Sequence, residues 1–411
     1  MFSRHLTGIF ARWEGYRIQC AQRFEAGEKG PSAEVWIELV PRRKSQLVCS
    51  GCGRKSRHVH ETVERWIRDL PILDASTHLL VHRRRVKCRW CGPKLEALPW
   101  IGRYERVTKR LAESVVRMCA ILPLKHVAEY FDLDRKTVKA IDKKHLLMTL
   151  PPIDALGVEA IVMDEFAIRK GHRYATVVAD AKTCRVLWVG RGRGRRDVRP
   201  FFQLLGKEGC ASLKAVAMDM SAAYELEVYK HCPNAQVVYD LFHVVLKYGR
   251  EVIDRVRVDE ANRLRRDPQA RHVIKGSRWL LLRNRDNIRE PKDQVRLQEL
   301  LQANKALCTA YVLKDDLKHL WSFRQSHEAM LFWKQWYRRA VRSRIQPLVH
   351  FAKRIKEYLH GILAHCLWPL HTSVIEGINN KIKLIKRMAY GFRDDEYFFL
   401  KIRAAFPGNG T

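Results

Sequence analysis

Two Cys-x-x-Cys pairs, Cys49-Ser-Gly-Cys52 and Cys88-Arg-Trp-Cys91, stand 35 residues apart within the first hundred positions of the chain. Four thiolates at that spacing suit tetrahedral zinc. Each pair lies at a turn marked by Gly51, Gly53 or Gly92, where backbone amides can point at sulfur and steady the thiolate. Four sulfurs leave no position for water, so the zinc expected here is structural. A module of this size has little core of its own, and metal binding would supply much of its folding free energy. Four ordinary buried cysteines, or two redox pairs, are the alternatives. Eleven cysteines in 411 residues is not the density of a disulfide scaffold, which fits a reducing compartment.

The charge balance narrows the partner. Lys and Arg number 77 against 44 Asp and Glu, a formal charge of +33. Such an excess calls for a polyanion: nucleic acid, an anionic membrane surface or an acidic protein. The membrane option weakens because no apolar run approaches the roughly 18 to 20 residues of a spanning helix. The start, Met1 to Trp13, has neither an apolar core nor a small-residue cleavage site. A soluble, cytoplasmic protein is expected.

Along the chain the pattern changes several times. Residues 1–100 read as a small β-rich module, with short strands at Val35–Val40 and at His78–His82 running on to Lys87. Residues 101–150 have helical spacing with basic polar faces, broken by Pro151-Pro152. Strand-like runs follow at Glu159–Asp164, Tyr174–Ala179, Arg185–Val189, Ala215–Asp219 and Gln236–Asp240, which predicts a mixed sheet with helices over 151–250. Residues 251–355 are charged, amphipathic and poor in glycine, as in a helical insertion. The segment 356–411 returns to the sheet domain, with a last helix from Thr372 to about Met388.

Within the helical segment, Leu122 to Ile141 has the form of a helix-turn-helix. Leu124, Val127, Ala128 and Phe131 make one apolar face, Leu133 plugs the turn, and Asp134 can cap a second helix in which Val138 and Ile141 face inward. Lys136, Lys139 and Lys143 then share an outward face, as a helix lying in a DNA major groove requires. A basic helical hairpin of no special use is the bland alternative. Arg42, Arg43, Lys44, Arg54, Lys55, Arg57 and Arg83 to Arg85 would let the cysteine module grip DNA as well.

Three acids carry the chemistry. Asp164 ends one apolar strand run and Asp219 ends another, with 54 residues between them. An ionised carboxylate at the end of a buried strand is costly unless it reaches water or a cation. Glu376 follows after 156 intervening residues, on a helix whose buried face is Ile375, Ile378, Ile382 and Ile385 and whose other face carries Glu376, Asn380, Lys383 and Arg387. An acid followed by Asn and two bases on one stripe suits a nucleic-acid strand passing a metal site. Three carboxylates can hold two Mg²⁺ ions about 3.5 to 4 Å apart for in-line attack on a phosphodiester. Caps, salt bridges and solvated turns are the ordinary roles of such acids, and Glu165, Asp180, Asp240, Asp394 and Asp395 compete with them on spacing alone.

The stretches Asp164-Glu-Phe-Ala-Ile-Arg-Lys-Gly171, Asp219-Met-Ser-Ala-Ala-Tyr224, Asp240-Leu-Phe-His243 and Glu376-Gly-Ile-Asn-Asn-Lys-Ile-Lys-Leu-Ile-Lys-Arg387, with Gly391-Phe-Arg393, resemble the motifs of the ISL-three family of insertion-sequence transposases. The resemblance covers nearly the whole chain and departs only around His371 to Ile375, just upstream of the glutamate. It implies an α/β ribonuclease H-like catalytic domain with a helical insertion, preceded by a small β-rich zinc-binding module and an all-α helix-turn-helix domain. It implies Asp164, Asp219 and Glu376 as a catalytic triad binding Mg²⁺ or Mn²⁺, and Cys49, Cys52, Cys88 and Cys91 as ligands of Zn²⁺. The activity it implies is DNA transposition: binding of terminal inverted repeats, hydrolysis of phosphodiesters and strand transfer. Double-stranded element ends and target DNA would be the partners, a homodimer or larger assembly the working form, and the bacterial nucleoid the place.

His243 has two readings, a group that orients a phosphate or a flipped base in bound DNA, or a packing histidine beside a capping Asp240. Arg191-Gly-Arg-Gly-Arg-Arg196 is either a phosphate-binding turn or a solvated basic one. Trp321, Phe323, Phe332, Trp333, Trp336 and Tyr337 fit core packing better than stacking on unpaired bases. A catalytically silent DNA-binding regulator derived from a transposase is the main rival to an active enzyme, and a repair or junction nuclease is a third reading.

Overall fold

The structure is a computed structural model and describes residues 13–28, 32–102, 105–153, 157–370 and 373–408. The leader reading of Met1 to Trp13 falls almost wholly outside these residues, as do His371 and Thr372. Two compact units are present, one made of residues up to Leu150 with Ile385–Leu400, the other of Pro151–Leu384 with the residues from Lys401 on. The expected division at Pro151-Pro152 coincides with the first boundary, whereas the expected 356–411 segment is shared between the two.

In the first unit the strands are β1 (Tyr16–Phe24), β2 (Glu34–Pro41), β3 (Leu47–Val48), β4 (Lys55–Ser56), β5 (Val59–Ile72), β6 (Ala75–Cys88) and β7 (Gly92–Leu95). The main sheet runs β1-β2-β6-β5 with β7 also on β6, and β3 pairs β4 separately. Strands β5 and β6 are 14 residues each, far longer than the short strands expected. Strand β6 alternates: Thr77, Leu79, Val81 and Arg83 are buried and the residues between them less so, which is how a strand with one covered face reads. The core against this face holds Trp13, Tyr16, Ile37, Leu39, Ile67, Leu79 and Val81.

Asp69 on β5 ties this sheet to the helices that follow. Its buried carboxylate accepts from Trp13 Nε1 at 2.9 Å, Thr108 Oγ1 at 2.6 Å and Arg110 Nε at 2.7 Å. Thr108 also caps the first helix, α1 (Lys109–Cys119). Helices α2 (Leu124–Tyr130) and α3 (Arg135–Thr149) complete a three-helix cluster whose core is Leu111, Val115, Val127, Ala128, Phe131 and Val138, with Leu124, Leu133 and Ile141 packed on it. Asp134 caps α3, its Oδ1 accepting from Lys136 N at 2.7 Å.

The second unit begins with β8 (Ala160–Arg169), β9 (Arg173–Asp180), β10 (Val186–Arg191), α4 (Arg195–Ser212), β11 (Ala215–Met218), α5 (Ala222–His231), β12 (Gln236–Tyr239) and α6 (Leu241–Tyr248). Strand order is β10-β9-β8-β11-β12. The first three are antiparallel, and β8, β11 and β12 are parallel. All four residues of β11 are buried, as expected of a strand covered on both faces. Asp164 does not end its strand as expected. It is the fifth of ten residues of β8, because the antiparallel partner β9 carries the pairing on to Arg169.

A helical block follows: α7 (Asp254–Arg263), α8 (Pro268–Gly276), α9 (Arg278–Leu282), α10 (Pro291–Ala303), α11 (Lys305–Lys318), α12 (Ser326–Arg342), α13 (Gln346–Ile355) and α14 (Leu359–Leu363). It shares one core with the sheet, so it is packed rather than tethered. Trp333 and Trp336 are buried and stacked at 5.2 Å, with Trp336 Nε1 donating to Leu313 O. Trp321, Phe323, Phe332 and Tyr337 pack against the same core. Gly361 lets α14 approach β12, since a Cβ there would lie 2.5 Å from the Tyr239 ring. Helix α15 (Ser373–Met388) is not the last, as expected, but is followed by α16 (Asp395–Ala405). No helix among the described residues is long and apolar enough to cross a membrane.

Asp69→Ala should lower the stability of the first unit by about 2 kcal/mol, since it leaves two buried donors, Trp13 Nε1 and Thr108 Oγ1, unpaired and removes the partner of half-buried Arg110. Urea unfolding followed by amide exchange within β5 and α1 measures this. Loss of less than about 1 kcal/mol would mean the carboxylate is not a structural tie.

Candidate zinc centre and acid site

The four cysteines come together. Cys49 follows β3, Cys52 sits in the β3–β4 turn, Cys88 closes β6 and Cys91 lies in the turn before β7. Their sulfurs all lie within 4.8 Å of one another. Cys52 Sγ is 3.7 Å from Cys88 Sγ. A tetrahedron with Zn–S bonds near 2.3 Å has sulfur–sulfur edges of about 3.8 Å, so the donor set fits zinc. Gly51 N donates to Cys49 Sγ at 3.3 Å. The amides of Trp90 and Cys91 pull the Cys88 thiol down to about 7. Hydrogen bonding to Cys52, burial and the neighbouring sulfur charges push Cys91 up to about 12. Four thiolates cannot ionise together without a cation among them, and a zinc ion supplies it.

The basic residues round this centre are divided. Arg43, Lys44, Arg54, Lys55 and Arg57 are exposed. Arg83 is buried and donates to Glu96 O, Arg84 pairs with buried Glu96 at 2.6 Å, and Arg85 pairs with Glu61 at 2.5 Å. Arg83 and Arg84 of β6 thus pair within the sheet, where buried Glu96 would otherwise be an uncompensated charge.

The basic residues of helix α3 are divided in the same way. Lys136 is exposed at its amino-terminal end. Lys139 Nζ, however, lies 2.9 Å from Asp394 Oδ2, and Lys143 Nζ lies 3.3 Å from Asp394 and 2.7 Å from Glu396. Next to them Tyr397 OH donates to buried Asp142 at 2.5 Å. The flank bearing Lys139 and Lys143 is thus covered by acids at the start of α16, and the exposed basic residues of α3 are Arg135, Lys136 and Lys144. Burial raises the Asp394 carboxyl, but the Tyr397 amide and the two ammonium groups outweigh it and hold it at about 2.

In the second unit, parallel pairing brings acids together. Strands β11 and β8 are in register at Ala215 with Ala160, Val216 with Ile161 and Ala217 with Val162. Carried two residues further, that register sets Asp219 level with Asp164. Met218 pairs with Tyr239 on β12, so the next residue, Asp240, is level with Asp219. Level residues on adjacent strands point to the same face, with backbones about 4.8 Å apart. His243, on the first turn of α6, stands between two of these acids: Nδ1 is 3.7 Å from Asp219 Oδ2 and Nε2 is 3.8 Å from Asp240 Oδ2. Asp240 also caps α6, accepting from Phe242 N.

Helix α15 supplies the other side. Ile375, Ile378 and Ile382 are buried, while Glu376, Asn380, Lys383 and Arg387 form the exposed stripe read from the sequence. The contact to the strand comes from a residue the sequence reading passed over: Asn379 Nδ2 donates to Asp164 Oδ2 at 2.6 Å. Glu376 is three residues earlier and so one turn along the same side of the helix. Asn380 instead accepts from Lys383 Nζ at 3.3 Å. Burial raises the Asp164 carboxyl above the ordinary range, with the like charge of Asp219 adding to it. The Glu165 amide, His243 and Asn379 oppose the rise. The acids are more loosely set than the thiols, and among the described residues only the four cysteines form a close group of three or more metal-ligating side chains.

The glycine-arginine turn is largely engaged: Arg193 pairs with Glu165 at 2.7 Å and lies over Tyr174, and Arg195 pairs with buried Glu227 at 3.0 Å.

Two outcomes are expected. A chelator strong enough to strip zinc, or Cys52→Ser, should reduce bound zinc from one ion per chain to near none and unfold the β3–β4 region, read by metal content and amide exchange. Because folding depresses the Asp394 pKa, its stabilising effect is present above its unfolded value near 4 and is lost as pH falls towards 2. Asp394→Asn should therefore flatten the acid-unfolding curve of the first unit in that window; an unchanged curve would remove the ion pairs as a source of stability.

Comparison with known proteins agrees with this layout. The model of a zinc finger of transposases IS204, IS1001, IS1096 and IS1165 matches residues 45–91. The helix-turn-helix domain of transposase family ISL3 matches residues 96–146. The ISL3 model of DDE transposases, described as Transposase, matches residues 161–402. The transposase for insertion sequence element IS1001 of Bordetella parapertussis is 53% identical over 410 residues, covering 100% of both chains. The transposase for insertion sequence element IS1557 of Mycobacterium tuberculosis is 28% identical over 399 residues, covering 91% of this chain and 88% of the relative. With a zinc finger, a helix-turn-helix and a DDE domain in that order, the chain belongs to the ISL3 (ISL-three) family of insertion-sequence transposases, DNA-binding enzymes of the metal-dependent polynucleotidyl transferase class.

Proposed function

We propose that Asp164, Asp219 and Glu376 hold Mg²⁺ or Mn²⁺ and that the domain carrying them is a ribonuclease H-like core. The observation that carries this reading is that Asp219, the first residue past β11, lies near enough to Asp164 on the neighbouring parallel strand β8 for its charge to act on it, with α15 reaching Asp164 through Asn379. The donor set fits a hard divalent cation: carboxylate oxygens, crowded enough that burial and like charge raise Asp164. The mixed five-stranded sheet, three antiparallel strands followed by two parallel βα units, supports the fold assignment.

When bound, the cations activate the attacking oxygen and stabilise the leaving one. The residues of the chain do the rest. Asp164 is fixed from the strand side by the Glu165 amide and from the helix side by Asn379. His243 lies beside both Asp219 and Asp240, a place from which it can orient a phosphate of bound DNA at the acids. Asn380, Lys383 and Arg387 continue the Glu376 stripe and guide the DNA backbone past the acids. Arg135 and Lys136 lead the groove contact of α3.

In the first step a water oxygen bonds to phosphorus at the element end, the bond from phosphorus to the 3′ oxygen breaks, and that oxygen leaves as a hydroxyl. In the second, this hydroxyl attacks a target phosphodiester, forming a new P–O bond and releasing the target 3′ oxygen. No protein–DNA bond is formed. Two ends must be held together, so the working form is a homodimer or larger.

Asp219→Ala should lower Mg²⁺-dependent cleavage of labelled element ends by about a thousandfold or more, the equivalent of several kcal/mol, while end binding stays within about twofold. Cleavage at the unaltered rate would refute the triad. An unaltered chain that binds ends but cleaves them with neither Mg²⁺ nor Mn²⁺ would be a silent regulator instead.

A further inference from the structure

Helix α15 carries two adjacent asparagines, and only one of them meets the acids. Asn380 shares the solvent stripe with Glu376. Asn379, 100° away round the helix, falls on the edge between that stripe and the buried isoleucines, and it is half-buried. Its Nδ2 donates to Asp164 Oδ2 at 2.6 Å, while the other carboxylate oxygen, Oδ1, accepts from Glu165 N at 2.7 Å. An ionised carboxylate only accepts, so the amide must present its NH₂ to Asp164, and the orientation of the carbonyl follows from chemistry. That carbonyl, Asn379 Oδ1, is buried and has no hydrogen-bond partner among the described residues. A buried acceptor left unpaired beside a carboxylate is uncommon in folded proteins and calls for a donor brought by something else.

We propose that Asn379 is a positioning residue of the acid site. Its NH₂ locks the rotation of the Asp164 carboxylate so that the remaining lone pairs face a divalent cation, and its Oδ1 receives a hydrogen bond from a water held at that carboxylate. The inference rests on the reading of Asp164 and Asp219 as cation ligands. Partners that orient a ligating side chain commonly change metal affinity by 10- to 100-fold when removed. Asn379 reaches Asp164 from a helix 215 positions away in the chain, so it also fixes α15, and with it Glu376, against the strand.

The test is Mn²⁺ binding to the full-length, zinc-loaded chain without DNA, followed by electron paramagnetic resonance of the free ion. Asn379→Ala should raise the Mn²⁺ dissociation constant about 10-fold or more, with zinc content, circular dichroism and end binding unchanged. Asn379→Leu keeps the volume of the side chain and should do the same if the alanine variant does not fold. Asp219→Ala serves as the reference for the acid site itself. If Asp219→Ala weakens Mn²⁺ and both folded Asn379 variants bind it as the unaltered chain does, the positioning role is overturned and the acid site stands. If Asp219→Ala also leaves binding unchanged, the acid-site reading falls and this inference with it.

Discussion

Parallel pairing of β8 with β11 is the constraint on which the acid site depends. Two ionised side chains would not gather on one face of a sheet unaided, since each repels the other and loses water. Backbone hydrogen bonds along Ala160–Val162 and Ala215–Ala217 impose the register, and the buried aliphatic run of β11 holds it between two neighbours. A slip of one residue would turn Asp219 to the opposite face, so the same apolar contacts that stabilise the sheet also specify the acids' positions. The cost of that crowding is visible at Asp164, whose carboxyl is raised despite three groups that oppose the rise.

The zinc module follows the same logic with a different currency of attraction. Its two knuckles are far apart in sequence, and the sheet has only a modest core, so four sulfurs within 4.8 Å of one another require an ion to be worth assembling. Around it, positive charge is sorted by burial. Arg84 and Arg85 of β6 pair with Glu96 and Glu61, while the basic residues of the turns are exposed. The net charge of +33 already subtracts such pairs, so it is the excess left once every acid has a base.

What could be read from the sequence was whatever depends on local spacing. The cysteine knuckles, the capped helix-turn-helix with Val127, Phe131 and Val138 inward, and the apolar runs of β8 to β12 all carry their signal within a few residues. Strands β1 and β5 escaped because much of their length is exposed and polar, leaving no alternation to see. Helix α16 escaped because Tyr397, Phe398, Leu400 and Ile402 leave little polar face to mark a period. Contacts made across long separations were illegible for a plainer reason. Lys139 and Lys143 look free until Asp394, 255 and 251 positions away, is folded against them. Asn379 and Asn380 differ only by which edge of a helix meets a strand, and that is set by the isoleucine face packing in three dimensions.

The most direct test of the account is anomalous scattering from Mn²⁺ in crystals of the protein with a bound DNA end. If these acids hold the cation, a manganese peak is expected within ligand distance of the Asp164, Asp219 and Glu376 carboxylates. A DNA-bound structure with manganese elsewhere, or with Asp164 and Asp219 free of metal, would contradict it.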